Sequence, residues 1–390
     1  MNKEITQDIK YIGVDDLDMQ LFESQYHTPD GMCYNSYVIL DEKVAVMDTS
    51  DQRTMAQWKA NLKAALGDRQ PDYLIVQHLE PDHASGIVEA CALYPQMQVV
   101  CSAKAKQMMP QYFTDSTLEP RVLTVKEGDT LPLGRHTLHF IMAPMVHWPE
   151  VMVTYDNTDH VLFSADGFGK FGVYEADADD WACEARRYYF NICGKYGQPV
   201  STLLKKAAAL DIRKILPLHG PVLEGEKMTE AVRLYTIWSA YEVETEGVFI
   251  AHASIHGNTA AATLRLAEIL KAKGCPKVAV SDLCRDDMAE AVEDAFRYGR
   301  MVCMASSYDA GVFPPMYDFL HHLETKAFQK RRVALVENGS WAPSAAKTMR
   351  PMLEAMKQVE VVEPVVTLRG CLKDTDLPQL EALAEEVLKS

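Results

Sequence analysis

Short β-branched runs separated by polar turns fill the first part of the chain. CYNSYVIL (33–40), KVAVMDT (43–49), DYLIVQ (72–77), HTLHFIM (136–142), VMVTY (151–155), HVLFSA (160–165) and RKILPL (213–218) have the length and residue types of strands. Turn signals punctuate them: DEK after Leu40, EGD at 127–129 and DNTDH at 156–160. Helical patterns intervene at 52–66, 84–93, 103–112 and 179–210. Strands mixed with hairpins and helices predict a layered α/β sandwich with much antiparallel pairing.

From Glu246 the rhythm becomes a strict alternation. GVFIAHA (247–253), PKVAVSDL (276–283), RMVCMASS (300–307), RRVALVEN (331–338) and VEVVEPVVTL (359–368) read as strands. Helical stretches at 258–273, 285–297, 314–326, 342–357 and 374–388 separate and follow them. Such alternation predicts one doubly wound parallel sheet covered by helices on both faces. We therefore expect two domains, 1–246 and 247–390, joined through the helix-rich stretch 226–246. No internal repeat or low-complexity linker is found.

Composition narrows the class only a little. The 390 residues, 48% hydrophobic and 24% charged, suit two or three globular domains of roughly 100–200 residues each. A net charge of -16 and a pI near 5.2 argue against binding nucleic acid or an anionic membrane surface. No apolar window of about 18 residues predicts a membrane span, and MNKEITQDIKYIG lacks the apolar core of a signal peptide. Nine scattered cysteines without a C-x-x-C pair read as reduced thiols of a cytoplasmic protein, and they leave no fused rubredoxin-type iron centre or zinc ribbon in this chain.

The chemistry starts at HLEPDHASG (78–86), which packs His78, Glu80, Asp82 and His83 into one loop after a strand. The spacing is that of a zinc hydrolase loop, His-x-His-x-Asp-His, with a glutamate at the middle histidine. His147, Asp166 and His219 each follow a later apolar run, where a sheet directs them to one rim. Imidazoles and carboxylates gathered there repel or cost desolvation unless a cation joins them. His27, His136, His139, His160, His252, His256, His321 and His322 have plainer readings as lone core or surface histidines. The seven candidates exceed one tetrahedral shell, so two metals are expected, with Asp166 able to bridge them. A carboxylate-rich set without thiolate suits non-haem iron, and ligand type alone leaves zinc and manganese open.

In the second half, ligands of an open parallel sheet bind beyond the carboxyl ends of the strands. The first such loop is SIHGNT, with Ser254, His256, Gly257, Asn258 and Thr259 leading into a helix whose free N–H groups favour a phosphate. It resembles the flavodoxin loop S/T-x-T-G-x-T that binds FMN, with His256 at the usual threonine. Two further loops lie at the same edge. One carries Ser306, Ser307, Tyr308, Asp309, Ala310 and Gly311, the other Asn338, Gly339, Ser340 and Trp341. Tyr308 and Trp341 can flank a flat ring whose polar edge neighbouring N–H groups would bond. No G-x-G-x-x-G follows a strand of this second half, which disfavours a dinucleotide there.

Over its whole length the chain resembles the flavodiiron proteins, or A-type flavoproteins. The family motif H-x-E-x-D-H followed by a distant H, D and H is met by His78, Glu80, Asp82, His83, His147, Asp166 and His219, and the contexts YNSYVIL, PMVHWP and LFSADGFGKFG are also similar. The resemblance implies a metallo-β-lactamase-like αββα domain followed by a flavodoxin-like one. Glu80, His147 and bridging Asp166 would hold one iron, with His78 as a variable ligand; Asp82, His83, His219 and Asp166 would hold the other. It implies an outside donor, a separate rubredoxin or rubredoxin reductase, whose electrons reach the irons through FMN. Dioxygen would be reduced to water, or nitric oxide to nitrous oxide. A head-to-tail homodimer, or a dimer of dimers, is implied, because the two sites of one chain are expected to be too far apart. Tyr26 and Tyr196 are candidates for proton delivery, against a plainer packing role. Three alternatives stand beside this reading: a binuclear zinc hydrolase with an appended flavodoxin-like domain, a flavin carrier with a vestigial metal site, and a deazaflavin-dependent oxidase of the same family.

Overall fold

The computed structural model describes residues 3–114, 118–175 and 181–389. Two compact units emerge. One comprises residues up to Tyr189 together with Gln198–Thr236; the other comprises Phe190–Gly197 and Ile237–Ser390.

The first unit is built on two sheets. The first takes its strands in chain order: β1 (Lys3–Glu4), β2 (Ile9–Tyr11), β3 (Tyr37–Leu40), β4 (Val44–Met47), β5 (Tyr73–Val76), β6 (Gln98–Ser102) and β7 (Val122–Val125). Pairing is antiparallel as far as β3–β4 and parallel from β4 to β7. The second runs β8 (Thr130–Pro132), β9 (Thr137–Met142), β10 (Met152–Asp156), β11 (Val161–Phe163), β12 (Lys214–Leu216) and β13 (Leu223–Glu224), parallel only at β11–β12.

The alternation of side chains explains the layering. Val44 and Val46 of β4 join Val38, Leu74, Val76 and Val99 under the helix Met55–Leu66, whose Trp58 and Leu62 are fully buried. Ala45 and Met47 point the other way, to a second cluster shared with Leu138, Phe140, Val161 and Phe163 of the facing sheet. A strand covered on both faces must be apolar at every position, as VAVM is. Each such large side chain contributes about 1.5–3 kcal/mol on burial.

Sequence reading misses β6, whose run QVVCS lies directly before a helix, and it misses β7, β8, β13 and the N-terminal strands. The helix expected over 179–210 is interrupted. Trp181–Tyr188 is α-helical, a wider turn follows at Tyr189–Cys193, and the helix resumes at Gly197–Ala207. Residues 179–180 of that stretch lie outside the described residues.

The second unit is a parallel sheet of β14 (Thr245–Ala253), β15 (Val278–Asp282), β16 (Tyr298–Tyr308), β17 (Arg331–Asn338) and β18 (Val359–Val361), ordered β15–β14–β16–β17–β18. The run expected as one strand at 359–368 splits. β19 (Val366–Leu368) pairs further along β17, after Pro364, which has no amide hydrogen for a ladder. Val248 and Ile250 face the helices Asn258–Ala272 and Leu377–Leu388, while Phe249 turns to Phe319 on the other face. No helix among the described residues is long and apolar enough to cross a membrane.

Candidate diiron and flavin sites

One rim of the first unit collects four chain segments that follow strands. β5 runs directly into Gln77, His78 and the motif loop. The loop between β9 and β10 carries His147 and is closed by the Ala143 N–H donating to Val151 O at 2.9 Å. Ser164–Asp166 follows β11, and His219 follows β12. The rim is strained: Asp48, Met145, Ala165 and Phe168 all have positive φ without being glycine. Backbone of that kind costs on the order of 1–3 kcal/mol per residue and persists where surrounding structure enforces it.

The seven candidate ligands fall into two groups. Ligand atoms of His78, Glu80, His147 and Asp166 lie within 4.8 Å of one another, as do those of Asp82, His83 and His219. In the first group, His147 Nε2 is 3.0 Å from Glu80 Oε2 and 3.1 Å from Asp166 Oδ2. His78 Nε2 is 3.2 Å from each of the same two oxygens. In the second, His83 Nε2 is 3.1 Å from Asp82 Oδ2 and 3.0 Å from His219 Nε2. The other oxygen of Asp166, Oδ1, faces this group at 3.4 Å from His83 and 3.6 Å from His219. Asp166 therefore stands between the two, one oxygen to each.

All but Glu80 are buried, and both carboxylate oxygens of Asp82 and of Asp166 lack a hydrogen-bond donor. Unsolvated anionic oxygens without donors are costly. Positive charge among them is correspondingly favoured. Burial opposes a charge on His83, but Asp82 and Asp166 beside it push its pKa up to about 10. His147 is likewise raised to about 9 by Asp166 and Glu80, against its burial. Asp82 and Asp166 would be raised by burial alone, yet the surrounding imidazoles hold both well below the usual carboxylate range. Oxygens converging without donors, opposite nitrogens converging on one another, fit a pair of cations.

Residues that hold these ligands come from outside the motif. His219 Nδ1 donates to Cys33 O at 2.7 Å. His78 Nδ1 bonds Glu150 Oε1 at 2.8 Å. Asp48 accepts from Gln77 N and Gln77 Nε2 at 2.8 and 2.9 Å, fixing the start of the loop. Aromatic rings of Phe22, Tyr34 and Tyr188 lie 5.4, 6.0 and 5.6 Å from that of His219, and Trp148 lies 5.2 Å from His78. Sequence reading missed all of these; the one local signal is an acid three residues after His147, in HWPE.

The tyrosines singled out from sequence are placed differently. Tyr26 is buried in a small hairpin opposite Phe22, its ring 5.7 Å from Phe171. Tyr196 ends the single turn Gly194–Tyr196 of the second unit. A further grouping, His136, Asp156 and Asp159, lies at the far end of β10. Its polar atoms are bonded to Thr158 N, Asp159 N, Thr6 and Asp8, so it reads as a satisfied structural network.

In the second unit the strands lie in the order second, first, third, fourth, fifth. The crevice opens where the chain reverses direction across the sheet, beyond β14 and β16. A cavity of about 540 Å³ occupies it. Of the loop residues predicted there, Ser254, His256, Asn258, Thr259, Ser306, Ser307, Tyr308, Asp309, Ala310, Asn338, Gly339, Ser340 and Trp341 line it, joined by Ile255, Ala342 and Ser344; Gly257 and Gly311 do not. Gly257 instead precedes the helix Asn258–Ala272 at φ +85°, its N–H donating to Ser254 Oγ at 3.1 Å. Ser307 Oγ accepts from Ser344 N and Ala345 N, tying two loops together. A Cβ on Gly339 would meet Pro343 Cα at 2.8 Å, so only glycine fits. Trp341 is 90% exposed and Tyr308 46%, unusual for large rings at the mouth of a cavity.

Comparison with known proteins agrees with this layout. Residues 32–220 match the family model described as "ODP family beta lactamase". The chain is 27% identical over 366 residues to the anaerobic nitric oxide reductase flavorubredoxin of Escherichia coli strain SMS-3-5 / SECEC, covering 91% of this chain and 75% of that one. It is 26% identical to an uncharacterized protein of Methanocaldococcus jannaschii over 96% and 95% of the two chains. Among solved structures it is similar to the rubredoxin oxygen:oxidoreductase of Desulfovibrio gigas, with TM-score 0.92, 23% identity and 99% and 98% coverage. The flavodiiron protein of Giardia intestinalis gives the same TM-score and identity, with 100% and 97% coverage. The fold is thus a metallo-β-lactamase-like sandwich followed by a flavodoxin-like sheet. With that architecture and the paired ligand groups, the chain is similar over nearly its whole length to a flavodiiron protein and to a flavorubredoxin.

Proposed function

We propose that this protein is a flavodiiron reductase that takes electrons through FMN to two irons and reduces dioxygen to water, nitric oxide to nitrous oxide, or both. The observation that carries the reading is Asp166, whose two oxygens separately face two groups of buried ligands. Residues 1–246 would bear the irons and 247–390 the flavin.

His78, Glu80, His147 and Asp166 would hold one iron, and Asp82, His83, His219 and Asp166 the other. When bound, the irons would supply Lewis acidity and electrons to the gas, and the flavin would accept electrons from a donor and pass them on one at a time. The chain's own part is positional. Asp166, with one oxygen to each ligand group, would set the spacing of the two metal positions. The nearly dry rim, with only Glu80 partly exposed, keeps bulk water from the reacting gas. In the second unit, Ser254, Asn258 and Thr259 at the start of the helix Asn258–Ala272 would hold the flavin's phosphate, and Trp341 and Tyr308 would flank its ring.

We further propose a head-to-tail homodimer and a separate small electron donor of the rubredoxin type. The donor is supported by the names of the relatives in Escherichia coli and Desulfovibrio gigas, and the dimer by the resemblance to the family. Nine cysteines, none of them in a disulfide, support a reducing, cytoplasmic compartment.

The test is anaerobic purification with iron, zinc and FMN counts, followed by turnover of the chemically reduced protein with each gas in turn. Two irons and one FMN per chain, with gas consumption, are expected. Two zincs with esterase activity and no gas uptake would instead mark a binuclear hydrolase.

A further inference from the structure

We propose that Glu150 is the positioning residue for His78, fixing which ring nitrogen faces the metals and so making His78 a ligand of one iron only. The inference rests on the diiron reading above.

Glu150 is 1% exposed and its side chain is fully buried. A carboxylate in such a place must be compensated. Only one of its oxygens is. Oε1 lies 2.8 Å from His78 Nδ1 and accepts from Leu79 N at 2.9 Å, while Oε2 has no partner. One oxygen therefore grips both the ring of His78 and the backbone of the motif loop. The residue is held in turn by its own carbonyl, which accepts from Ser102 Oγ at 2.7 Å; that serine also caps the helix Ala103–Tyr112. Glu150 is thus anchored to the end of β6 while it holds the residues after β5.

The consequence lies on the far side of the ring. With the proton of Nδ1 committed to Glu150, the lone pair of Nε2 points at the space bounded by Glu80 Oε2 and Asp166 Oδ2, each 3.2 Å away. A carboxylate on the outer nitrogen also makes the inner nitrogen a stronger donor to a metal. The other cluster histidines are not served this way. His219 Nδ1 meets a neutral carbonyl, and His83 Nδ1 is buried without a partner. Among the described residues, Glu150 is the one carboxylate bonded to the Nδ1 of a ligand histidine. The two halves of the centre are therefore supported unequally.

The test compares the parent holoprotein with Glu150→Gln and Glu150→Ala, each loaded with ⁵⁷Fe. Ferrous iron release to a coloured chelator is followed, and the Mössbauer spectrum is recorded. Glu150→Gln keeps an oxygen for both N–H donors but removes the charge. It is expected to speed release of one iron about tenfold and to shift the spectrum of that iron alone. Glu150→Ala is expected to speed the same release about 100-fold or to leave one iron per chain, with FMN content unchanged. Release within twofold of the parent in both variants overturns the proposal, as does equal acceleration of both irons, which would mark a role in folding the loop. If the alanine variant does not fold, the glutamine variant decides alone. A parent that binds fewer than two irons overturns the diiron reading and this inference with it.

Discussion

His83 and His219 meet Nε2 to Nε2 at 3.0 Å, deep in the rim and beside the donor-less Asp82. Two neutral rings can share one proton there, and two charged rings repel. Lone pairs of both can be used at once only by a common cation. Replacing His219 with alanine is therefore expected to cost more than a supporting residue does, which is typically 10–100-fold in metal affinity. Iron content should fall towards one per chain and turnover with either gas by at least about 100-fold, while FMN content holds. Full iron content in the variant would refute this assignment.

Gly339 tests the flavin pocket by volume. A Cβ at this position collides with Pro343 Cα and crowds Ser307 Oγ, which fastens the neighbouring loop. Overpacking of about 1–3 kcal/mol corresponds to about 5–150-fold weaker binding. Gly339→Val should weaken FMN binding in that range, measured by fluorescence titration of the flavin-free protein. Iron content, set in the other unit, should not change.

Trp341 tests the same pocket by surface. At 90% exposure it contributes almost nothing to folding, so Trp341→Ala should shift stability by less than about 0.5 kcal/mol. An aromatic pair is worth about 0.5–1.5 kcal/mol, so FMN affinity should fall about 2–13-fold. A change in melting temperature without a change in affinity would place the ring outside the flavin site.

His136 carries a pH dependence unrelated to the metals. It is buried between Asp156 Oδ2 at 3.0 Å and Asp8 Oδ2 at 3.2 Å. Burial disfavours its charge, but the two carboxylates win and raise its pKa above the ordinary 6.5. A histidine raised on folding stabilises fully below its unfolded pKa, and the contribution is lost as pH climbs through the folded value. His136→Gln should therefore destabilise the iron-loaded first unit by about 1.5–3 kcal/mol at pH 6. The gap from the parent should narrow steadily above pH 7, as read from urea midpoints. A gap that widened with pH would reverse the assignment.

The parts of this molecule that are legible from sequence are those whose signal is local. A ligand after an apolar run, as with His147, Asp166 and His219, advertises both the strand and the rim it ends on. The alternation after Glu246 does the same for the parallel sheet, and the glycine-bearing loops after its strands point to the crevice. What escaped detection depends on contacts between distant residues. β6 runs straight into the helix Ala103–Tyr112 with no turn signal between them, and it is made a strand by its neighbours β5 and β7. Glu150 looks like an ordinary acid until the loop of one sheet is laid against the end of the other, and Asp48 until β4 is paired with β5. Tyr188 beside His219 carries no motif, and Tyr34 is marked only as the first letter of YNSYVIL, whereas Tyr26 drew notice by position and packs on Phe171.

Asp166 has one more implication, concerning assembly. Because the two oxygens of a single carboxylate face both ligand groups, neither group would be a complete site by itself. A first cation held there would draw on the charge of Asp166 and settle its orientation, so filling of the two positions would be coupled through this one side chain.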